Sequence, residues 1–359
     1  MYGNIIIKPP RRQSKIVNAI VSDITSGRFA PGTQLPSTKK LRETFDASPV
    51  TVSHAVSYLR QHGFVRTEHR KGVFVADNPS CFCNIGLVLP HINAESNLFT
   101  AFRNEAEFIS KETASDGMKR RFRRYQMVNC AKDEIRSHHR ELFAAVEADT
   151  FTGLIFLGET HEILTLVREL NPRIACVNFR YKASPGSIHV HYGRFLEKAM
   201  DITVANGRKR VAVLTCQPYK EETYSHILEC ASRRDLFINS MWIQRVGPEW
   251  PKWASNNAEL LLAHGKGKID TLIIDDDNIV PAATEGVAAS GVRVPDDVLV
   301  VAHANFPHTT ASAVPAIRMG WNVRQAMHLA VTLIEKQRMG QEVPNSILME
   351  TQLQEELAL

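Results

Sequence analysis

Three groups of residues in this 359-residue chain carry side chains suited to chemistry. The first is Ser48, Val50, Thr51, Ser53, His54 and Ser57, followed by the basic turn His69-Arg70-Lys71-Gly72. Short side chains of this kind touch base edges, thymine methyls and phosphates without holding a helix away from a DNA groove, and a basic turn suits a phosphate or minor-groove contact. The second is Asp275-Asp276-Asp277-Asn278. A carboxylate there can accept two hydroxyl hydrogen bonds from a polyol; a metal ion would need more acidic partners, and the sequence supplies none nearby. The third is the set of six cysteines, Cys81, Cys83, Cys130, Cys176, Cys216 and Cys230. Only Cys81 and Cys83 are close, at a poor zinc spacing, while Cys176 and Cys216 lie in apolar runs as core residues do. No G-x-G-x-x-G, P-loop, G-x-S-x-G or H-E-x-x-H occurs, so no enzyme, cofactor or metal site is expected.

The elements that must position the first group can be read from periodicity. Ile16, Val17, Ile20, Val21 and Ile24 line one face of a helix over residues 12–26. Ser37 caps a second helix, Thr38–Phe45, anchored by Leu41 and Phe45. After a tight turn Ser48 caps a third, with Pro49 at its first position, where a missing N–H costs nothing. Val52, Ala55, Val56 and Leu59 form its buried stripe, which turns Val50, Thr51, Ser53, His54 and Ser57 outward. Strands over 64–68 and 73–77 then flank the basic turn. Helix, turn, helix and hairpin in this order place one helix in a groove and rest a wing on the backbone.

Charge agrees with that reading. The first 80 residues hold five lysines and seven arginines against five acidic residues, net +7; the other 279 carry 31 basic and 33 acidic residues, net −2, giving the overall +5. A polyanion would be met by the small N-terminal segment. The composition, 44% hydrophobic and 23% charged, is that of a soluble globular protein, and no apolar run is long enough to span a bilayer. Ile5–Ile7 is too short for a signal-peptide core, so a cytoplasmic location is expected.

From Asn84 the pattern changes. Apolar runs at 85–90, 125–130, 153–158, 173–179 and 187–192 form one series of strands; 210–216, 240–246, 271–275 and 298–303 form a second. Helical stretches over 99–113, 135–148, 195–206, 256–263 and 280–290 fall between them. Continuous apolar strands separated by helices mean parallel sheets covered on both faces, here in two lobes, with a ligand cleft at the carboxyl ends of the strands.

Gly27-Arg-Phe-Ala-Pro-Gly-Thr-Gln-Leu-Pro-Ser37, Leu41, Ser48-Pro-Val-Thr-Val52, Leu59-Arg-Gln-His-Gly-Phe-Val65 and Lys71-Gly-Val-Phe-Val75 together resemble the winged helix-turn-helix of the GntR family of bacterial transcription regulators. The resemblance implies contact roles for Lys39, Ser48, Thr51, Lys71 and Gly72, and Lys40 and Arg70 join the expected DNA-binding set. The family's usual arginines stand here as Pro49 and Ser53, which weakens guanine readout in particular. Gly207-Arg-Lys-Arg-Val-Ala-Val-Leu214, Gly291-Val-Arg-Val-Pro-Asp-Asp-Val-Leu-Val-Val301 and Pro315-Ala-Ile-Arg318 resemble the sensor domain of the LacI family, itself similar to periplasmic sugar-binding proteins. That resemblance implies effector contacts at Asn97, Phe99, Arg180 and Asp277, with Tyr224 and Asn305 at positions where the family has other polar anchors. The implied organisation is a winged-helix domain at 1–77, a linker at 78–83 and a two-lobed α/β/α sensor at 84–359. The implied protein is a homodimeric, ligand-responsive repressor that binds a double-stranded operator and a sugar or sugar derivative. The alternative is a DNA-binding regulator whose altered sensor binds no sugar and serves dimerisation or protein partners.

Overall fold

The computed structural model describes residues 11–25, 28–61, 63–76, 84–91, 96–112, 120–148, 150–158, 160–172, 174–180, 186–217, 221–247, 249–263, 268–338 and 341–357. The expected linker and Cys81 and Cys83 lie outside them. The chain divides into two compact units that exchange segments: Met1–His91, Glu105–Phe179 and Leu329–Asn345 in one, Ile92–Asn104, Arg180–His328 and Ser346–Leu359 in the other.

The N-terminal elements are helices α1 (Arg11–Thr25), α2 (Thr38–Phe45) and α3 (Pro49–Gln61) and the antiparallel strands β1 (Val65–Glu68) and β2 (Gly72–Val75). They share one core of Ile16, Val17, Ile20, Leu41, Val52, Leu59, Phe64 and Val75, with Val56 only half-buried at its edge. Both helix starts follow local rules. Ser37 Oγ accepts the Lys40 N–H at 3.3 Å and Ser48 Oγ accepts the Thr51 N–H at 3.1 Å, each satisfying a backbone donor that the first helical turn leaves open. Asp46, with φ of 47°, ends α2 in the left-handed region. The wing is braced from outside its own strands: Val75 N–H bonds to Thr33 O, Leu35 N–H to Val73 O, and Gln34 Nε2 to Lys71 O at 2.7 Å. Gly72 has φ of 125°, and a Cβ there would meet Gln34 Nε2, so this turn requires glycine.

The rest of the first unit is built on parallel strands β3 (Asn84–Leu89), β4 (Arg121–Gln126), β5 (Gly153–Leu157) and β6 (Ala175–Arg180), with β4 outside β3 and β5 between β3 and β6. Helix α4 (Asn97–Lys111) precedes β4; α5 (Ile135–His138), α6 (Arg140–Glu147) and α7 (His161–Leu170) follow it. Two expectations are corrected here. The second strand lies at Arg121–Gln126, not at residues 125–130, and the helix expected over 135–148 is broken at the buried residue His139. An edge strand needs only one buried side chain, and in β4 that is Tyr125; the arginines around it face outward.

In the second unit, β7 (Ser187–Val190) pairs in parallel with β13 (Ser346–Met349). A six-stranded sheet runs in the order β14 (Gln352–Leu353), β12 (Ile317–Asn322), β11 (Leu299–Phe306), β10 (Thr271–Ile274), β8 (Val211–Thr215), β9 (Ile243–Arg245). All neighbours are parallel except β12 with β14. The strand expected over 240–246 begins as a single 3-10 turn, Ser240–Trp242. Alternate residues separate cleanly: Ala212, Leu214, Leu272, Ile274 and Val300 pack under α10 (Pro251–Leu262) and α11 (Val280–Ala289). Val211, Val213, Ile273 and Val301 pack under α8 (Tyr192–Ala205) and α9 (Glu221–Ser232). Burial on both faces is why these strands read as unbroken apolar runs. The last helix, α12 (Val323–Arg338), follows β12.

Candidate DNA-binding surface and candidate effector site

The shared N-terminal core holds a set of exposed cations and small polar groups in place. Lys39 and Lys40 are exposed on α2, Arg70 and Lys71 on the wing. On α3, Ser48, Val50, Ser53 and His54 are exposed, and Thr51 and Ser57 half-buried. Ser48 and Thr51 are also tied to each other, Oγ to Oγ1 at 2.9 Å. At the wing, Glu68 takes hydrogen bonds from Arg66 and Lys71, which hold its carboxyl below the ordinary range. Arg70 sits at the turn with φ of 62°. A phosphate needs this kind of surface: exposed cations on rigid elements beside a helix of short side chains.

In the second unit, the acidic run leaves β10 at the carboxyl edge of the sheet, and each residue has a distinct job. Asp275 accepts hydrogen bonds from Tyr192 Oη and, at 3.1 Å, from the Cys216 N–H. Asp276 accepts from Asn278 N at 2.9 Å and Nδ2 at 2.6 Å, closing the turn. Asp277 accepts from Asn305 Nδ2 at 2.6 Å, while its carbonyl accepts from Asn97 Nδ2 at 3.1 Å. Asn278 Oδ1 accepts the Asn97 N–H at 2.8 Å, capping the start of α4. Asn97, Asp277 and Asn305 are therefore brought together. Phe99, two residues beyond Asn97, is half-buried. Tyr224, on α9, packs against the Phe195 cluster. Arg180 ends β6, and its side chain lies outside the described residues.

Beside Asn305 the sheet carries polar groups that the sequence reading did not assign. His303, Asn305 and Trp321 share one face, since His303 and Asn305 alternate along β11 and Trp321 pairs in register with Asn305. The His303 ring lies 4.5 Å from that of Trp321 and 5.3 Å from that of Phe195. Arg318, in register with Ala302, donates through Nη2 to Thr310 O at 2.6 Å and Oγ1 at 2.9 Å. Arg318 Nη1, on the opposite face with Ala302, is buried without a partner among the described residues, and on the shared face so are both His303 nitrogens, Asn305 Oδ1 and Trp321 Nε1. Each such group costs about 1–3 kcal/mol unless a ligand or water completes it, so their clustering marks a polar site rather than packing alone. A signal existed: His303 and Asn305 at i and i+2 in an otherwise apolar strand are a period-2 polar pair.

Burial shifts these groups. It pushes the carboxyls of Asp275 and Asp277 up to about 7 and the His303 imidazole down to about 3, where Arg318 adds repulsion. The two aspartates titrate near 3.9 when unfolded. Their folded form thus holds extra protons between that value and 7; the stability this supplies is full below about 4 and lost as pH rises through 7. His303 works in the opposite direction: its contribution is present above its unfolded value of about 6.5 and lost as pH falls toward 3. One histidine offsets only one of the two aspartates, so the melting temperature of the ligand-free protein is expected to fall as pH rises from about 4 to 7, most steeply just above about 6.5 where the histidine no longer opposes it. Asp275→Asn should remove one of the two contributions, and a thermal-melt series across pH checks it.

Three of the described thiols are held protonated by burial. Burial raises Cys176 to about 12 and holds Cys216 and Cys230 above the ordinary thiol range. Among the described residues, no three His, Cys, Asp or Glu side chains form a metal-sized group. A concavity lined by Asn84, Arg121, Phe122, Glu141 and Phe151 lies at the amino ends of β3 and β4, away from the carboxyl edge where parallel sheets bind ligands.

Residues 12–75 match the profile described as bacterial regulatory proteins, gntR family. This segment is a GntR-family helix-turn-helix domain. The matched segment thus gives the chain a GntR-type DNA-binding domain, and the exposed residues of α2, α3 and the wing all belong to it. No curated protein matches the chain. Among solved structures, similar ones include a LacI family transcription regulator from Clostridium acetobutylicum, 15% identical, covering 75% of this chain and 98% of that one, with a TM-score of 0.58. Another is a LacI family regulator from Arthrobacter sp. FB24 in complex with lactose, 16% identical over 75% and 96%, TM-score 0.57. A third is the lac repressor dimer bound to operator and the anti-inducer ONPF, 14% identical over 76% and 92%, TM-score 0.54. At such identities the likeness establishes the fold alone, shared over 75–76% of this chain. No described helix is long and apolar enough to cross a membrane.

Proposed function

We propose that this protein is a ligand-controlled repressor of carbohydrate-related genes, with the GntR domain on operator DNA and a sugar or sugar derivative bound at the carboxyl edge of the second unit's sheet. The observation that carries the effector reading is the cluster of Asn97, Asp277 and Asn305 beside the unpartnered groups of His303 and Trp321. Carboxamide, carboxylate and ring surfaces in one place are what a polyol with one apolar face requires. Phe99 would stack on that face, and Arg180 and Tyr224 would complete the polar contacts. The lactose-bound and operator-bound relatives of the same fold support the reading. Domain limits at 1–77 and 84–359, joined by residues 78–83, are part of it. Thermal-shift screening with sugars and sugar acids tests it, because a ligand held only by the folded state raises the melting temperature.

A second reading has its own observation. Asp277 and Asn305 are each 1% exposed and bonded to one another, so the pair is also satisfied without a ligand. In that case the body dimerises or binds partners, and no sugar shifts the melt.

Both readings use a dimer, and α10 supplies a face for it. Trp250, Trp253 and Leu260 are 64%, 60% and 68% exposed, and Asn256 lies between them on the same side. Laid antiparallel on a second copy about Asn256, Lys252 meets Glu259 and Trp253 meets Leu260, so the face is self-complementary under a twofold axis. Two GntR domains held this way read a palindromic operator. Trp253→Asp is expected to yield monomers by sedimentation and to weaken binding to paired half-sites far more than to a single one. A dimer of unchanged strength removes α10 from the interface.

A further inference from the structure

We infer that α3 reads thymine through its 5-methyl group, with Val50 as the reader, so that the half-site is marked by thymine rather than guanine. This deepens the proposed function and rests on α3 entering the major groove. Recognition helices contact base edges with their N-terminal residues. Val50 is the second residue of α3, and it is 61% exposed, outside the core that Val52, Ala55 and Leu59 fill.

The side chains around it remove the other ways of naming a base. From Ser48 to Tyr58 there is no Arg or Lys to grip guanine, no Asn or Gln to grip adenine, and no Asp or Glu to accept from cytosine. The hydroxyls of Ser48 and Thr51 are committed to each other and to the helix cap. Ser53 and Ser57 discriminate poorly, because a hydroxyl both donates and accepts. His54 is the one remaining polar reader. The thymine methyl is the base feature that an exposed branched aliphatic side chain recognises. The nearby cations Lys39, Lys40, Arg70 and Lys71 lie outside α3, where they serve phosphates and carry no sequence information.

The experiment starts from duplexes selected by the full chain from a random library. Each thymine of the recovered half-site is replaced singly by deoxyuridine, which keeps the hydrogen-bonding edge and removes only the methyl. At one position or two adjacent positions, wild type should lose about fourfold in affinity, the worth of one buried methyl group. Val50→Ala should bind thymine and uracil duplexes equally there. Since Val50 is exposed, its melting temperature should match wild type, which separates misfolding from lost readout. Binding that ignores uracil at every position overturns the inference, as does a Val50→Ala variant that keeps the thymine preference, or a half-site fixed by guanines whose effect vanishes in His54→Ala. In those cases the GntR reading stands. Absence of binding to any duplex overturns both.

Discussion

Replacing Arg70 and Lys71 together with alanine is expected to weaken binding to every duplex alike, and to lower the slope of log affinity against log salt by about two per protomer. Phosphate contacts release condensed counterions and are blind to sequence, so their loss appears as a shallower salt dependence with unchanged base preference. The wing is a good place for such a contact. Its turn is fixed by Gly72 and by Gln34 holding Lys71 O, so the two cations sit on a rigid tip and little ordering entropy opposes their engagement. Lys71 is paired with Glu68 at 3.2 Å, but Lys71 is exposed and Glu68 only half-buried, and such surface pairs contribute little, so a phosphate can displace the carboxylate. Among the described residues Arg70 has no such partner. The fold should be unaffected, because neither side chain belongs to the core. Fluorescence anisotropy at several salt concentrations, on a selected and an unrelated duplex, reads both effects at once.

The second large effect is on stability. Gly286→Val is expected to destabilise the protein by more than about 3 kcal/mol, or to prevent folding. A Cβ at Gly286 would run into the Ser255 carbonyl, so α10 and α11 approach at this point more closely than any side chain allows. The neighbour that would have to give is backbone, flanked by the buried Ala254 and Ala258, and it has no rotamer to change. Any shift of α10 also moves the face bearing Trp253 and Leu260. Whatever fraction folds should therefore dimerise poorly, and chemical denaturation followed by sedimentation measures both.

The parts of this molecule governed by local rules were legible in its sequence. Ser37 and Ser48 cap their helices as the spacing implies, Pro49 opens α3, and the stripe of Val52, Ala55 and Leu59 is buried. Each of those features depends on neighbours within four residues. The strands of the second unit were also legible, because burial on both faces leaves a short β-branched apolar run such as Thr271-Leu-Ile-Ile, bounded by polar residues. Strand β4 was misplaced by four residues because an edge strand carries no such run; its arginines look like loop. Strand β12 was not marked as an element, since Arg318, Gly320 and Asn322 interrupt the apolar pattern. Gly320 is required there because a Cβ would strike the Ala304 carbonyl of β11, a partner set by pairing rather than by sequence distance. The candidate effector site shows the same limit. Asp277 stood out as the end of an acidic run, but its bond to Asn305 and the edge-on ring contact of His303 with Trp321 join residues 18 to 28 positions apart.

The most direct measurement on the whole account is the affinity of the intact protein for duplex DNA between 50 and 200 mM salt, a range over which about six to ten phosphate contacts cost roughly a thousandfold or more. Lys39, Lys40, Arg70 and Lys71 from two protomers would make about eight contacts, which predicts a log–log slope near about −7. A slope close to zero, or no association with duplex at the lower salt, would contradict it.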